Sequence, residues 1–201
     1  EPPEISPDIA PIVDILEKKK EALPIVFQLG AAGGLLHLDQ VLETIEEVRD
    51  SERHRSFLLP GGRNGALHQI VEMLGERKAT VVMPPSVTVL PYTIERICIP
   101  VALSRAGCKL VTRPTTDSIG GYRSLLVNLA DLVRHGLSRA EALASVTSNP
   151  ATWLGIDKTH GTIEKGKSAD LVFFDRDPLA PGARVSRMMA GGLTVWEREV
   201  E

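Results

Sequence analysis

Short apolar runs alternate with helical patterns through most of this chain, and that alternation constrains the fold more than any other feature. A run of a few apolar residues bounded by turn-forming residues is typical of a strand buried in a parallel sheet. Such strands are predicted at residues 25–27, 56–59, 79–83 and 108–112. Helices are predicted at 8–22, 35–48, 65–74, 122–135 and 139–147, with a less regular helical segment up to Ala106 that Pro100 breaks. Because parallel strands are joined by helical crossovers, this pattern predicts an α/β fold.

The pattern changes after residue 150, where three further short strands are predicted at 171–174, 185–189 and 193–196. The last two are joined through Ala190-Gly191-Gly192, which is typical of a hairpin. Before them, Gly166 can adopt the positive φ that a tight reversal needs. The run 171–174 is suited to a strand buried on both faces. These strands predict a second, smaller β unit.

Three stretches near the C-terminal end follow the order and approximate spacing found in one known family. They are GLS…EAL at 136–143, TSNPA followed by LG at 147–155, and GTIEKGKSADLV followed by DPL at 161–179. Together they resemble the closing signature of the amidohydrolase superfamily, especially its imidazolonepropionase-like branch. The resemblance implies a TIM-type (β/α)8 barrel in which the four predicted strands are strands five to eight. Residues 1–155 would form the C-terminal half of that barrel, and residues 156–201 the C-terminal strands of the accompanying β-sandwich.

Four parallel strands left as an open sheet would have two unpaired edges, which invite pairing with other strands. A (β/α) barrel closes only with eight strands. We therefore expect another chain, a second copy or an upstream segment to complete the barrel, and we expect an oligomer.

The length and net charge of the chain limit the class of partner that we expect. The chain has 201 residues and a net charge of −3, so nothing favours nucleic acid or an anionic membrane, and a small-molecule substrate or ligand is expected. No apolar run is long enough to span a membrane. Cys98 and Cys108 lack a metal-type or redox-type spacing and are interpreted as small buried hydrophobic residues rather than a disulfide. Both a cytoplasmic and a processed exported protein fit these observations.

The resemblance implies hydrolysis of C–N bonds other than peptide bonds, by water activated on one or two divalent metal ions. The family's ligands are a His-x-His after the first strand, an acidic group or modified lysine after the fourth, histidines after the fifth and sixth, and an aspartate after the eighth. The first three would precede this chain, which contains no His-x-His. Gln28 stands at the fifth-strand position and residues 59–62 at the sixth, where neither supplies an imidazole. The metal site is therefore interpreted as degraded: the expected cofactor is a divalent metal, zinc first, if the protein is active, and otherwise none.

Asp117, in Thr116-Asp117-Ser118, matches the family's aspartate after the eighth strand and would act as metal ligand and general base. Arg113-Pro114-Thr115 separates it from the strand, which moves the carboxylate along the loop. The alternative is an Asx-turn or a cap for the helix predicted to begin near Tyr122. The neighbouring loops offer four candidate substrate-binding side chains, Gln28, Arg63, Asn64 and Arg113.

Two glycine clusters, at 30–34 and 61–65, follow predicted strands. Each can simply turn the chain at the barrel mouth, or can hold an anion through backbone N–H groups, with Arg63 as a cation in the second. The histidines fall in helices, connectors and turns and are interpreted as non-ligands. His135, at a predicted helix C-terminus, suits a cation close to terminal carbonyls.

Three functions therefore stay open. The first is an amidohydrolase-like protein related to metal-dependent hydrolases. The second is a non-catalytic binding or assembly subunit that keeps the barrel scaffold. The third is binding of a phosphorylated or other anionic small molecule at the glycine-rich mouth.

Overall fold

The structure is a computed structural model, and it describes residues 26–28, 56–58, 68, 70–89, 93–94 and 96–199. The helices predicted at 8–22 and 35–48, and the glycine clusters at 30–34 and 61–65, lie outside the described residues. The described elements are β1 (Val26–Gln28), β2 (Ser56–Leu58), α1 (Val71–Glu76), β3 (Thr80–Met83), β4 (Thr88–Val89), β5 (Arg96–Ile97), α2 (Ile99–Arg105), β6 (Lys109–Thr112), α3 (Ile119–Arg134), α4 (Arg139–Ala144), α5 (Ser148–Trp153), β7 (Leu171–Phe174), β8 (Val185–Ala190) and β9 (Leu193–Glu197).

The four strands predicted before the last helices form one parallel sheet, in the order β1-β2-β3-β6. One register row joins Phe27, Phe57, Val81 and Leu110. The mixed α/β architecture and its parallel sheet are therefore confirmed.

The sheet has two distinct faces because side chains alternate along each strand. On one face, Phe57, Val81 and Leu110 belong to a buried cluster that also contains residues of helices α1 to α4. Its fully buried leucines are Leu74, Leu103, Leu129 and Leu132. Burying a side chain of this size stabilises the fold by about 1.5–3 kcal/mol. Val82 and Val111, each one residue further along its strand, are buried on the opposite face, the side that a closed barrel would enclose.

Pro100 does not break a helix, contrary to prediction. It lies in the first turn of α2, where a backbone N–H would have no partner within the helix, so its absence costs little. Among the described residues before it, β4 and β5 pair as a short antiparallel ladder where a helical segment was predicted.

The helix predicted at 139–147 ends three residues early, and a second short helix that was not predicted follows it. A capping box starts α4, in which Ser138 Oγ accepts the N–H of Glu141 and the Glu141 carboxylate accepts the N–H of Ser138. Ala144 ends α4, and α5 begins at Ser148. Pro150 is the third residue of α5. Proline has no N–H to donate to a residue four positions earlier, so it could not continue α4, but it is tolerated in the first turn of a new helix.

The chain's own helices occupy part of the outer edge of β6, the last strand of the sheet. Leu110 and Thr112 turn their backbone groups away from β3. The N–H of Thr112 donates to the carbonyl of Ser145 at 2.9 Å, and Nδ2 of Asn149 donates to the carbonyl of Leu110 at 2.8 Å. Two backbone groups of this edge are therefore bound from within the chain. The sequence had led us to expect an edge without any partner in this chain.

Strands β7, β8 and β9 form a separate antiparallel sheet, and β8 and β9 are joined by the predicted glycine hairpin. The prediction that residues 171–174 are buried on both faces is wrong. Val172, Met188 and Trp196 form a cross-strand row and are 50%, 40% and 44% exposed. A parallel sheet is covered by its crossover helices, whereas this antiparallel sheet leaves one face open.

Asp177-Pro178-Leu179 joins the C-terminal segment to the main core. The Asp177 carboxylate forms an ion pair with Arg139 at the start of α4 and accepts the N–H of Leu179 at 2.9 Å. Leu179 is buried in the same cluster as the parallel sheet. Cys98 and Cys108 are free thiols, as predicted, and burial raises the pKa of Cys108 to about 12. Among the described residues, no helix combines the length and apolar content needed to cross a bilayer.

Candidate functional site

The C-terminal edge of the parallel sheet is the candidate site, since ligands in parallel α/β folds bind outside the carboxyl ends of the strands. Gln28 ends β1 and shares a register row with Leu58, Val82 and Val111, so the structure places it at this edge. Arg63 and Asn64 lie outside the described residues, and their predicted roles stay predictions.

Arg113 is the first residue after β6, and it continues the hydrogen-bond ladder between β6 and β3. Its N–H donates to the carbonyl of Met83 at 3.1 Å, just as Lys109 N–H donates to Ala79 at 2.9 Å. Its side chain therefore lies on the same face as Val111, away from the helices. Its Nε is buried and has no hydrogen-bond partner among the residues that the structure describes.

Asp117 lies in an exposed loop between β6 and α3. The hydroxyl of Tyr122 donates to its Oδ1 at 2.9 Å. This bond is the main cause that raises the pKa of Tyr122, with the negative charge of Asp117 acting in the same direction. The two side chains thus form a pair at the mouth of the sheet. Sequence reasoning named Asp117 but missed Tyr122, for which the only signal is a phenol in the first turn of the following helix.

Ser118, rather than Asp117, caps α3. Its Oγ accepts the N–H of Gly121 at 3.2 Å and lies 2.9 Å from Oγ1 of Thr116. The helix begins at Ile119 and not near Tyr122. A serine at the N-cap position satisfies one of the first free N–H groups, which explains the earlier start. The capping alternative for Asp117 is therefore wrong.

Gly121 holds the Asp117 loop against the helix, and replacing it with alanine is expected to destabilise the protein by about 1–3 kcal/mol. An added Cβ would lie 2.2 Å from the carbonyl oxygen of Thr116, so the loop must move. The neighbouring Gly120 is the matched control, because its nearest contact would be at 3.8 Å. Alanine there should stabilise the helix by up to about 1 kcal/mol. Urea-induced unfolding measures both, and equal effects would contradict the close approach.

The described residues do not by themselves fit the divalent-metal centre that the family resemblance implies. Within the described ranges, no group of three or more His, Cys, Asp or Glu side chains lies close enough together to hold a metal ion. Nδ1 of His135 lies 2.9 Å from the carbonyl oxygen of Asp131, which matches the predicted place at a helix C-terminus. We therefore assign no chemical step of these residues to a metal.

Asp170 organises the loop and hairpin around the closing signature. Its carboxylate accepts the hydroxyl of Ser168 and the N–H of Gly191, both at 2.7 Å, and lies 3.3 Å from Nε2 of His160. The first two bonds are the main causes that hold the pKa of Asp170 below its ordinary value. This aspartate therefore joins the β8–β9 turn to the preceding loop, and its contacts describe a structural role.

The chain matches a known protein-family model and resembles a curated protein. The model of the amidohydrolase family matches residues 95–195, which are 101 of the chain's 201 residues. Among curated proteins, the amidohydrolase tasK of Hapsidospora irregularis is 39% identical over 66 residues, which are 33% of this chain and 7% of that protein.

Two solved structures show the likeness in fold. An amidohydrolase from Thermotoga maritima MSB8 superimposes with a TM-score of 0.62 at 23% identity, over 87% of this chain and 44% of its own length. A prolidase solved in complex with N-methylphosphonate-L-proline superimposes with a TM-score of 0.50 at 17% identity, over 80% of this chain and 49% of its own. The chain thus spans less than half the length of either protein.

Proposed function

This chain belongs to the amidohydrolase family, and on that premise we propose that it forms the C-terminal half of an amidohydrolase-type barrel and takes part in hydrolysing a C–N bond other than a peptide bond. The barrel half would span residues 1–155, and residues 156–201 would contribute strands to a β-sandwich. An upstream segment or another chain would supply the remaining strands, and oligomer formation is part of the same proposal. Placement in the imidazolonepropionase-like branch rests on the signature residues alone.

The observation that carries this proposal is the register of the parallel sheet. Its four strands end at one edge, and the chain leaves β6 there through Arg113 into the loop that holds Asp117. In parallel α/β proteins this edge is where ligands bind. In the proposed reaction, water adds to the carbonyl carbon, the C–N bond breaks, and the departing nitrogen takes a proton.

Among the described residues, Asp117 is the carboxylate that we assign to this proton transfer. Tyr122 binds its Oδ1, which leaves Oδ2 to accept a proton from water. The tyrosine acts as a positioning residue, since its hydroxyl fixes the carboxylate without reaching the substrate in this assignment.

Asp117→Asn is therefore expected to lower kcat by about 100-fold or more, because a general base contributes roughly that factor. The test uses the protein with its upstream part or partner present, with N-acyl amino acids and cyclic amides as substrates. Asp157→Asn, at an exposed position after α5, is the control and should keep wild-type activity. Unchanged turnover in Asp117→Asn would remove the proposed role of Asp117.

The second candidate is a non-catalytic binding or assembly subunit. Two observations favour it: the exposed apolar row of Val172, Met188 and Trp196 offers a surface for association, and Tyr122 already occupies one oxygen of Asp117. Metal analysis of the same preparation separates the two candidates. A stoichiometric divalent metal, zinc first, together with hydrolysis supports the enzyme, whereas no hydrolysis and less than a small fraction of an equivalent of zinc, iron or manganese supports the subunit. Anion binding at the glycine clusters concerns residues outside the described ranges and stays a prediction.

A further inference from the structure

We propose that Arg113 binds an anionic group of the ligand, a carboxylate or a phosphate, at the C-terminal mouth of the parallel sheet. This inference deepens the proposed function, since it names the chemical class of ligand for the same site. It does not depend on catalysis, because an anion can bind whether or not a bond is then hydrolysed.

The first argument is placement. The bond from Arg113 N–H to the carbonyl of Met83 keeps Arg113 in register with β3, although the strand itself ends at Thr112. Two residues earlier, Val111 is buried on the face opposite the helix-packed cluster. Residues two apart on a strand lie on the same face. The side chain of Arg113 therefore leaves the backbone on the inner face of the sheet, at the edge where ligands bind.

The second argument is the state of the guanidinium itself. Arginine is always charged in proteins, and each of its N–H groups needs an acceptor once it is removed from water. Nε of Arg113 is removed from water and has no acceptor within the described part of the chain. A buried donor without a partner costs about 1–3 kcal/mol, and a charged group costs more. A ligand that supplies the acceptor recovers this free energy.

Other arginines of the chain illustrate what a satisfied guanidinium does here. Arg139 forms an ion pair with Asp177, and Arg187 lies 4.3 Å from the centroid of the Phe173 ring. Both contacts hold elements of the fold together. For Nε of Arg113, no hydrogen-bond acceptor exists among the described residues.

The third argument is geometry. A guanidinium presents Nε–H and one Nη–H as parallel donors, which match two oxygens of a carboxylate or phosphate. A neutral ligand carbonyl can satisfy only one of these donors at full strength and leaves the charge uncompensated. The ligand class is therefore anionic, and the two sources of anion are separated by experiment.

The experiment is titration calorimetry on the full protein with inorganic phosphate in one arm and N-acetylglycine in the other, at constant ionic strength set with chloride. Wild type is expected to bind at least one of them saturably. Arg113→Gln should weaken that binding at least tenfold, and Arg113→Lys, which keeps the charge but loses the paired donors, at least threefold. Arg184→Gln, an exposed arginine of the C-terminal segment, is the control and should bind as wild type does.

The arm in which Arg113→Gln loses affinity identifies the anion as phosphate or carboxylate. Wild-type affinity in both Arg113 variants, or no saturable binding of either anion by wild type, would overturn the inference. Circular dichroism checks that each variant folds. If Arg113→Gln does not fold, the affinity of Arg113→Lys alone decides whether Arg113 binds the anion. Loss of binding in a protein without hydrolase activity would leave this inference standing and reject only the catalytic proposal. Hydrolysis with an unchanged KM in Arg113→Gln would support the catalytic proposal and reject the role of Arg113.

Discussion

Replacing Gly161 with alanine is expected to lower the free energy of unfolding by about 2–5 kcal/mol, through two separate costs. Gly161 has a φ of 93°, in the region that side chains with a Cβ disfavour. An added Cβ would also lie 2.5 Å from Cβ of Ala151 and 3.2 Å from the carbonyl oxygen of Thr147. Both neighbours belong to the TSNPA stretch, so this contact joins two of the stretches that carry the family resemblance. Denaturant-induced unfolding monitored by circular dichroism measures the change.

Gly166 allows the two costs to be separated. It has the same φ of 93°, but an added Cβ would have no neighbour within 4 Å. Gly166→Ala therefore carries only the backbone cost, about 1–2 kcal/mol. The difference between the two variants is the cost of crowding α5, about 1–3 kcal/mol. If Gly161→Ala and Gly166→Ala destabilise equally, the close approach of residue 161 to α5 does not exist.

The sheet could be predicted from the sequence because each strand is a local signal. The apolar runs predicted at 79–83 and 108–112 appear as Thr80–Met83 and Lys109–Thr112, each starting one residue later than predicted and ending where predicted. Helix boundaries fared worse where proline was taken as a breaker. Pro100, which was predicted to break a helix, stands in the first turn of α2, where proline is tolerated, and only the flanking residues decide between starting and stopping a helix.

The run 171–174 shows why burial was harder to predict than strand position. Four consecutive apolar residues are typical of a doubly covered strand, yet Val172 is half exposed. The residues of the run do not indicate what packs against either face of the strand, because that depends on segments distant in sequence. The same reasoning applies to the exposed Met188 and Trp196 in neighbouring strands.

The candidate site was predictable where it follows directly from a strand end, and not where it depends on a loop. Arg113 could be placed because it is the next residue after β6. The bond between Tyr122 and Asp117 could not be predicted, since the path of residues 113–118 is set by the Ser118 cap and the close approach of Gly121. The conformation of such a loop depends on specific contacts, which the spacing of apolar residues along the sequence does not predict.

The second large effect is expected at Asn149, the central residue of the TSNPA stretch. Its Nδ2 donates to the carbonyl of Leu110 on the outer edge of β6, at a half-buried position. Asn149→Ala leaves that carbonyl without its donor, and we expect a loss of about 1–3 kcal/mol in the free energy of unfolding. The amide of Thr112, which donates to Ser145 on the same edge, should exchange faster with solvent deuterium.

Asn128→Ala is the matched control for this edge contact. Asn128 also lies in a helix, but its Nδ2 is 3.5 Å from Oγ of Ser124, at the limit of a hydrogen bond. Its replacement should leave the free energy of unfolding within about 0.7 kcal/mol of wild type, the range of helix propensity alone. A larger loss for Asn149→Ala than for Asn128→Ala means that the side chain from α5 satisfies the carbonyl of Leu110 in the folded protein. Equal changes, with unaltered exchange at Thr112, would mean that water satisfies the Leu110 carbonyl and that the Asn149 side chain does not stabilise this edge.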